Sequence, residues 1–75
     1  MIKYAWFPEI RSDGNGGHYH TYGIAAFDGG KKRYISDVTT EKQKIQALAY
    51  TFNNERLELS QLDEAIENYL YDFEV

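Results

Sequence analysis

The chain has 75 residues. It is bounded to one thin-cored domain, since a chain this short buries only about 60% of the surface it exposes when unfolded; a cofactor domain beside a substrate domain is excluded. Hydrophobic residues make up 43% and charged residues 27%, a globular and not a disordered balance, while a formal charge of −4 argues against non-specific nucleic-acid binding, which needs Lys and Arg to displace counterions.

Residues 2–7 are the first strand expected. Ile2, Tyr4 and Trp6 share one face, and Lys3, Ala5 and Phe7 the other. Pro8 has no amide hydrogen to donate and is expected to close the strand. The run Arg11 to Gly17 is turn chemistry throughout, because Gly and Asn accept positive φ at little cost. It is the segment expected to be most mobile.

His18 to Phe27 is the longest strand candidate, with β-formers at Tyr19, Thr21, Tyr22, Ile24 and Phe27. Asp28-Gly29-Gly30-Lys31 is a tight hairpin signal, and Arg33 to Val38 returns as the partner strand. With Gly29 and Gly30 as the two loop residues, Ile24 faces Ile35, Ala25 faces Tyr34 and Phe27 faces Lys32. Whether the N-terminal strand lies beside the first or the second hairpin strand stays open.

The period then changes. Ile45, Leu48, Ala49 and Phe52 fall on one helical stripe. Thr40 with Gln43 matches a capping box, Glu41 suits the first turn, and Asn53-Asn54 is expected to end the helix. A second helix follows Ser60, which with Asp63 fits another box. Its buried stripe is Leu62, Ala65, Ile66, Tyr69, Leu70 and Phe73, with Glu64, Glu67, Tyr71 and Glu74 on a different face. No repeat or linker interrupts the chain, so residues 1–75 are expected to form one domain. The fold class is α+β: a three-stranded antiparallel meander followed by two amphipathic helices packed on one face, βββαα.

Several chemistries fall away. The chain has no Cys, which excludes disulfides, thiolate metal sites and thiol nucleophiles. A small domain without disulfide staples is expected in the reducing cytosol. No run approaches the roughly 18 apolar residues of a membrane span. The stretch from Met1 to Phe7 lacks the apolar core of a signal peptide. The expectation is a cytoplasmic chain beginning at its first residue.

His18 and His20 project to one face of a strand, and Asp13 is a conceivable third ligand. A zinc site wants three or four protein ligands, and no further His or Cys exists, so no metal is expected. For acid–base work, histidine is the usual side chain, so His18 and His20 are the candidates and Asp13 or Asp37 is available to orient one. Ser12, Ser36 and Ser60 are candidate nucleophiles, but no spacing unites them, and no enzyme activity is expected. The glycines of residues 13–17 lack the following helix and Lys of a phosphate loop. No cofactor is expected.

The run Tyr22-Gly23-Ile24, the charged hairpin, Ile35-Ser36-Asp37-Val38, Phe52-Asn53-Asn54, Leu57-x-Leu59 and Ile66-Glu67-Asn68-Tyr69-Leu70 are distinctive together. Over residues 19–73 this resembles a family of very short proteins from Gram-positive anaerobic bacteria, described as a domain of unknown function. Where that family shows Glu-Asp-Phe-Leu, this chain has Glu67-Asn68-Tyr69-Leu70, keeping the aromatic and losing one acid. The resemblance implies one compact bacterial domain and carries over no site residue.

What remains is surface. Aromatics are 16% of the chain, and with helices over the Ile24–Ile35 face, Tyr19, Ala25, Phe27 and Tyr34 are left on the other, with Lys32 beside Phe27. Contiguous exposed aromatics mark partner sites. The expected function is therefore a small non-enzymatic accessory protein that binds another protein, or itself as a homodimer, through Tyr19, Phe27, Lys32 and Tyr34. Charge divides unevenly along the chain: residues 1–38 sum to +1 and residues 39–75 to −5. The acidic second helix, through Glu64, Glu67 and Tyr71, is expected to steer a basic partner. The alternative is a nucleic-acid-associated regulator using the hairpin aromatics and the turn Lys31-Lys32-Arg33.

Overall fold

Three strands and two helices follow one another along the chain. The computed structural model describes the backbone of residues 2–74 and the side chains of residues 2–69. Strand β1 is Ile2–Ser12, β2 is His18–Asp28 and β3 is Lys31–Thr39, followed by α1 at Lys42–Glu55, a short 3₁₀ turn at Leu59–Gln61 and α2 at Leu62–Glu74. The sheet is antiparallel in the order β1-β2-β3, so β1 lies beside the first hairpin strand. Both helices pack on one face, giving the βββαα arrangement. The overall dimensions are 41 × 32 × 18 Å. The thinnest of these accommodates one sheet and one helix layer, and the second sheet face is left uncovered by helix.

The period of two sets the core. Tyr4, Ile24 and Ala26 point from the sheet into Ile45, Leu48, Ala49 and Phe52 of α1 and Leu62 and Ile66 of α2. Ile2, Trp6, Tyr22 and Ile35 flank them. The Tyr4 ring meets Phe52 edge-on at 5.3 Å, and its hydroxyl donates to the Leu57 carbonyl at 2.6 Å. Burial, then repulsion from Asp28, raises the Tyr4 hydroxyl above its ordinary value. Arg33 fixes α2 to β3 through a two-pronged contact with Asp63, at 3.1 and 3.2 Å.

The hairpin forms as its glycines dictate. Asp28 pairs with Lys31, and Ile24–Ile35, Ala25–Tyr34 and Phe27–Lys32 are cross-strand partners. Gly29 alone in this loop has positive φ, 61°, the pattern of a type II′ turn.

Local signals were overridden in four places. Pro8 does not close β1, which runs through it to Ser12. β1 is an edge strand, and a proline whose nitrogen faces away from the neighbouring strand breaks no ladder bond. The Thr40–Gln43 box does not form. Glu41 is the N-cap of α1 without a side-chain cap bond, while Thr39 Oγ1 accepts the Glu41 N–H at 3.2 Å and Lys44 pairs with Glu41 at 2.6 Å. Asn53-Asn54 does not end α1. Arg56 does so in the left-handed conformation, φ 53°, because the Asn53 amide is engaged with β1. Nor do Ser60 and Asp63 box α2: Ser60 lies in the 3₁₀ turn and Asp63 is held by Arg33. Leu70, Tyr71, Phe73 and Glu74 have side chains outside those described.

Candidate functional site

Register assembles the outer face in rows. Lys3, Phe27 and Lys32 stand side by side, then Ala5, Ala25 and Tyr34, then Phe7 and Gly23, then Glu9 and Thr21, then Arg11 and Tyr19. The middle rows make an aromatic patch on a floor of small residues. The Tyr34 ring sits between Phe7 and Phe27, 6.3 Å from each centroid, at 75° and 90°. Such edge-to-face pairs contribute about 0.5–1.5 kcal/mol beyond area burial. Beneath the patch Ala25 is only 5% exposed, whereas Tyr34 is 62% exposed. Phe7 and Phe27 are half-buried. The patch therefore presents one free phenol, supported by two partly covered rings.

Cations border this patch at the hairpin end. Lys3 and Lys32 are exposed on either side of Phe27, and neither meets a carboxylate among the described residues. The other end is a polar network around a β-bulge. Tyr22 pairs with Thr39 while Ile24 pairs with Ile35, so residues 36–38 stand opposite Gly23 alone. Asp37 adopts positive φ there, 54°. Its carboxylate accepts from Thr21 Oγ1 and Tyr19 Oη, each at 2.7 Å. Its backbone N–H donates to Glu9 at 2.9 Å, and Arg11 lies 3.7 Å from Glu9 and 4.0 Å from Asp37. The fully buried Thr21 has one hydroxyl proton, shared between Asp37 and the Thr39 carbonyl, which lies 3.0 Å away.

The hydrogen bonds from Thr21 and then Tyr19 hold the Asp37 carboxyl below its ordinary 3.8. The same bond to Asp37, with burial behind it, raises the Tyr19 hydroxyl. A carboxyl whose folded value is depressed stabilises the fold fully above its unfolded value, and that contribution is lost as pH falls through the folded one. Thermal melts across the acid range should show the wild type losing melting temperature below pH 3.8 more steeply than Asp37→Asn. Parallel acid limbs for the two proteins would show that the network contributes no pH dependence.

The residues singled out from sequence do not form one surface. Tyr19, Phe27, Lys32 and Tyr34 lie on the bare sheet face. Glu64 and Glu67 are exposed on α2, whose Leu62 and Ile66 are buried against the opposite face. One flat partner cannot touch both sets. Tyr71 has a side chain outside those described. Tyr19 is itself turned to the Asp37 network and not to the aromatic patch.

Sequence reasoning missed Phe7 and Lys3. The signal was present in the strand parity that placed them together, but their membership in this patch depends on β1 lying beside β2. It also missed Ile10 and Tyr50, 67% and 70% exposed, which sit apart from the patch. His18 and His20 are exposed near the loop end of the β1–β2 hairpin. Asp13 is spent on that loop: its Oδ1 accepts from the N–H groups of Asn15 at 2.7 Å and Gly17 at 3.0 Å. Among the described residues no three His, Cys, Asp or Glu side chains are grouped to hold a metal ion. No described helix is long and apolar enough to cross a membrane. No family model, curated protein or solved structure matches the chain.

Proposed function

We propose that this chain is a small non-enzymatic accessory protein that binds another protein, or a second copy of itself, through the outer sheet face centred on Phe27, Lys32 and Tyr34. The observation that carries this reading is the 62% exposed Tyr34 ring, held upright between Phe7 and Phe27 on a face no helix covers. Its two flanking rings limit the rotamer entropy lost when a partner covers it, and Tyr is among the residues that dominate binding energy. The cations Lys3 and Lys32 beside Phe27 suit a partner with acidic groups around an apolar centre. Glu64 and Glu67, on the far side, lie outside that contact and repel an acidic partner from the helix face, favouring approach to the sheet face. The reading takes the chain as a cytoplasmic bacterial protein of the family its motifs resemble, in keeping with its lack of Cys.

Affinity capture from native cytosol with the wild type and with Phe27→Ser plus Tyr34→Ser tests the reading. Both positions lie outside the core, so the variant should keep its fold, which a melt verifies. The expected result is a protein, or untagged copies of the chain, retained by the wild type and lost by the variant. The affinity of that complex should fall at least roughly thirtyfold, about 2 kcal/mol. Identical captured sets would overturn the proposal.

The row Lys3–Phe27–Lys32 also favours a second reading, in which the rings stack on a single-stranded nucleic acid and the lysines meet its phosphates. Binding of a single-stranded oligonucleotide that weakens steeply with added salt would support it. Absence of binding at low salt would eliminate it.

A further inference from the structure

The two rims of the sheet are finished differently. On β1, Tyr4 donates its backbone N–H to Asn53 Oδ1 at 2.7 Å and accepts at its carbonyl from Asn53 Nδ2 at 2.9 Å. Those groups therefore point away from β2. The β1–β2 register is unbroken from Ile2 to Ser12, so Trp6, Pro8 and Ile10 share that orientation. Pro8 has no N–H. The β1 rim is thus closed at Tyr4 and lacks a donor at Pro8, and its outward groups at Ile10 and Ser12 lie at the strand end beside the glycine loop, away from the aromatic rows.

The β3 rim is open. Tyr4 and Ala26 are partners that do not bond to each other, so Ala26 turns its backbone groups toward β3, where it pairs with Arg33. By the same alternation Lys31, Arg33 and Ile35 bond inward, and Lys32 and Tyr34 turn N–H and C=O outward. Among the described residues nothing bonds these outward groups. Two alternate residues with both groups free are the template on which strand addition builds.

Charge selects the occupant. Lys31 and Lys32 project to opposite faces of this rim, both exposed and neither paired with a carboxylate among the described residues. Arg33 is already held by Asp63. A second copy of β3 would bring two more lysines to the same rim, and lysines on an edge strand oppose such pairing. We propose that β3 takes a fourth strand from a partner whose pairing segment is extended and rich in Asp or Glu, with the exposed Tyr34 ring packing against its side chains. This rests on the protein-binding reading above and adds the mode of pairing and the partner's chemistry.

Amide exchange followed by NMR on the full chain tests it, with an alternating Glu-Val octapeptide as the probe and an alternating Lys-Val octapeptide as its charge control. With the acidic peptide, the Lys32 and Tyr34 amides should exchange roughly tenfold more slowly or better. Arg33 and Ile35, already bonded to β2, should change little. Lys31→Glu with Lys32→Glu should lose the acidic peptide and protect the same two amides with the basic one. Shifts of the Phe7, Phe27 and Tyr34 ring signals without slowing of the two amides would overturn strand addition while leaving face binding intact. Equal protection by both peptides would overturn the acidic preference. Protection that rises with protein concentration and no peptide would assign the rim to a second copy and overturn the proposal.

Discussion

Ile24→Ala should remove about 2–5 kcal/mol of stability, the range for truncating a fully buried branched side chain whose site collapses only in part. Ile24 is 0% exposed at the centre of the central strand, beneath α1 and beside Ile35. A domain of this length holds only about 4–11 kcal/mol in total, so the loss takes a large fraction of it. For domains of this size each kcal/mol corresponds to roughly 4–8 °C, and the melting temperature should fall by about 10 °C or more. Calorimetry or far-UV circular dichroism reads this directly. A loss under about 1 kcal/mol would mean that the helices do not close over the middle of β2.

Gly23→Ala should be costly for a different reason. A Cβ at this position would lie 2.5 Å from Cζ of Phe7 and 2.6 Å from the carbonyl oxygen of Ile35. The ring can swing aside, but the carbonyl belongs to the backbone at the start of the bulge. Either the bulge opens and Asp37 leaves Thr21 and Tyr19, or β2 and β3 separate. Overpacking of this kind costs about 1–3 kcal/mol. Displacing Phe7 also removes one of the two rings that support Tyr34, so partner binding should weaken even where the fold survives. Gly30→Ala is the control: nothing lies within 4 Å of its added Cβ and its φ is not positive. Melts of the two variants, with the Tyr34 ring signals followed by NMR, separate the effects. Equal melting temperatures would show that the bulge yields freely.

The outer face explains why those positions matter for function as well as for stability. Gly23, Ala25 and Ala5 leave room above the sheet, and the three rings use it. A larger residue on this floor would lift the rings and expose their undersides. The patch is thus a property of the small residues as much as of the aromatic ones. The Asp37 network bounds it on one side, and Lys3 and Lys32 bound it on the other. Its shape depends on the bulge, which in turn depends on the missing side chain at Gly23.

Local chemistry controls the hairpin and the first helix. Gly29-Gly30 set the hairpin and, through it, the pairing of Ile24 with Ile35 and Phe27 with Lys32, because a two-residue loop leaves a single register. The stripe from Ile45 to Phe52 set the buried face of α1, because the helical repeat and the apolar spacing agree. Tertiary structure decided everything that hinges on which strand lies at an edge. Pro8 is tolerated because, among the described residues, no strand pairs with β1 on its outer side. Asn53 is diverted from a helix cap because the Tyr4 backbone there has unmet bonds. Phe7 and Lys3 join the hairpin aromatics only because β1 lies beside β2, and Glu64 and Glu67 are parted from them only because α2 crosses the opposite face. Contacts between residues far apart in the chain cost loop entropy that local propensity does not register. They form where burial and hydrogen-bond satisfaction over the whole domain outweigh that cost, and no short window of sequence contains both sides of that balance.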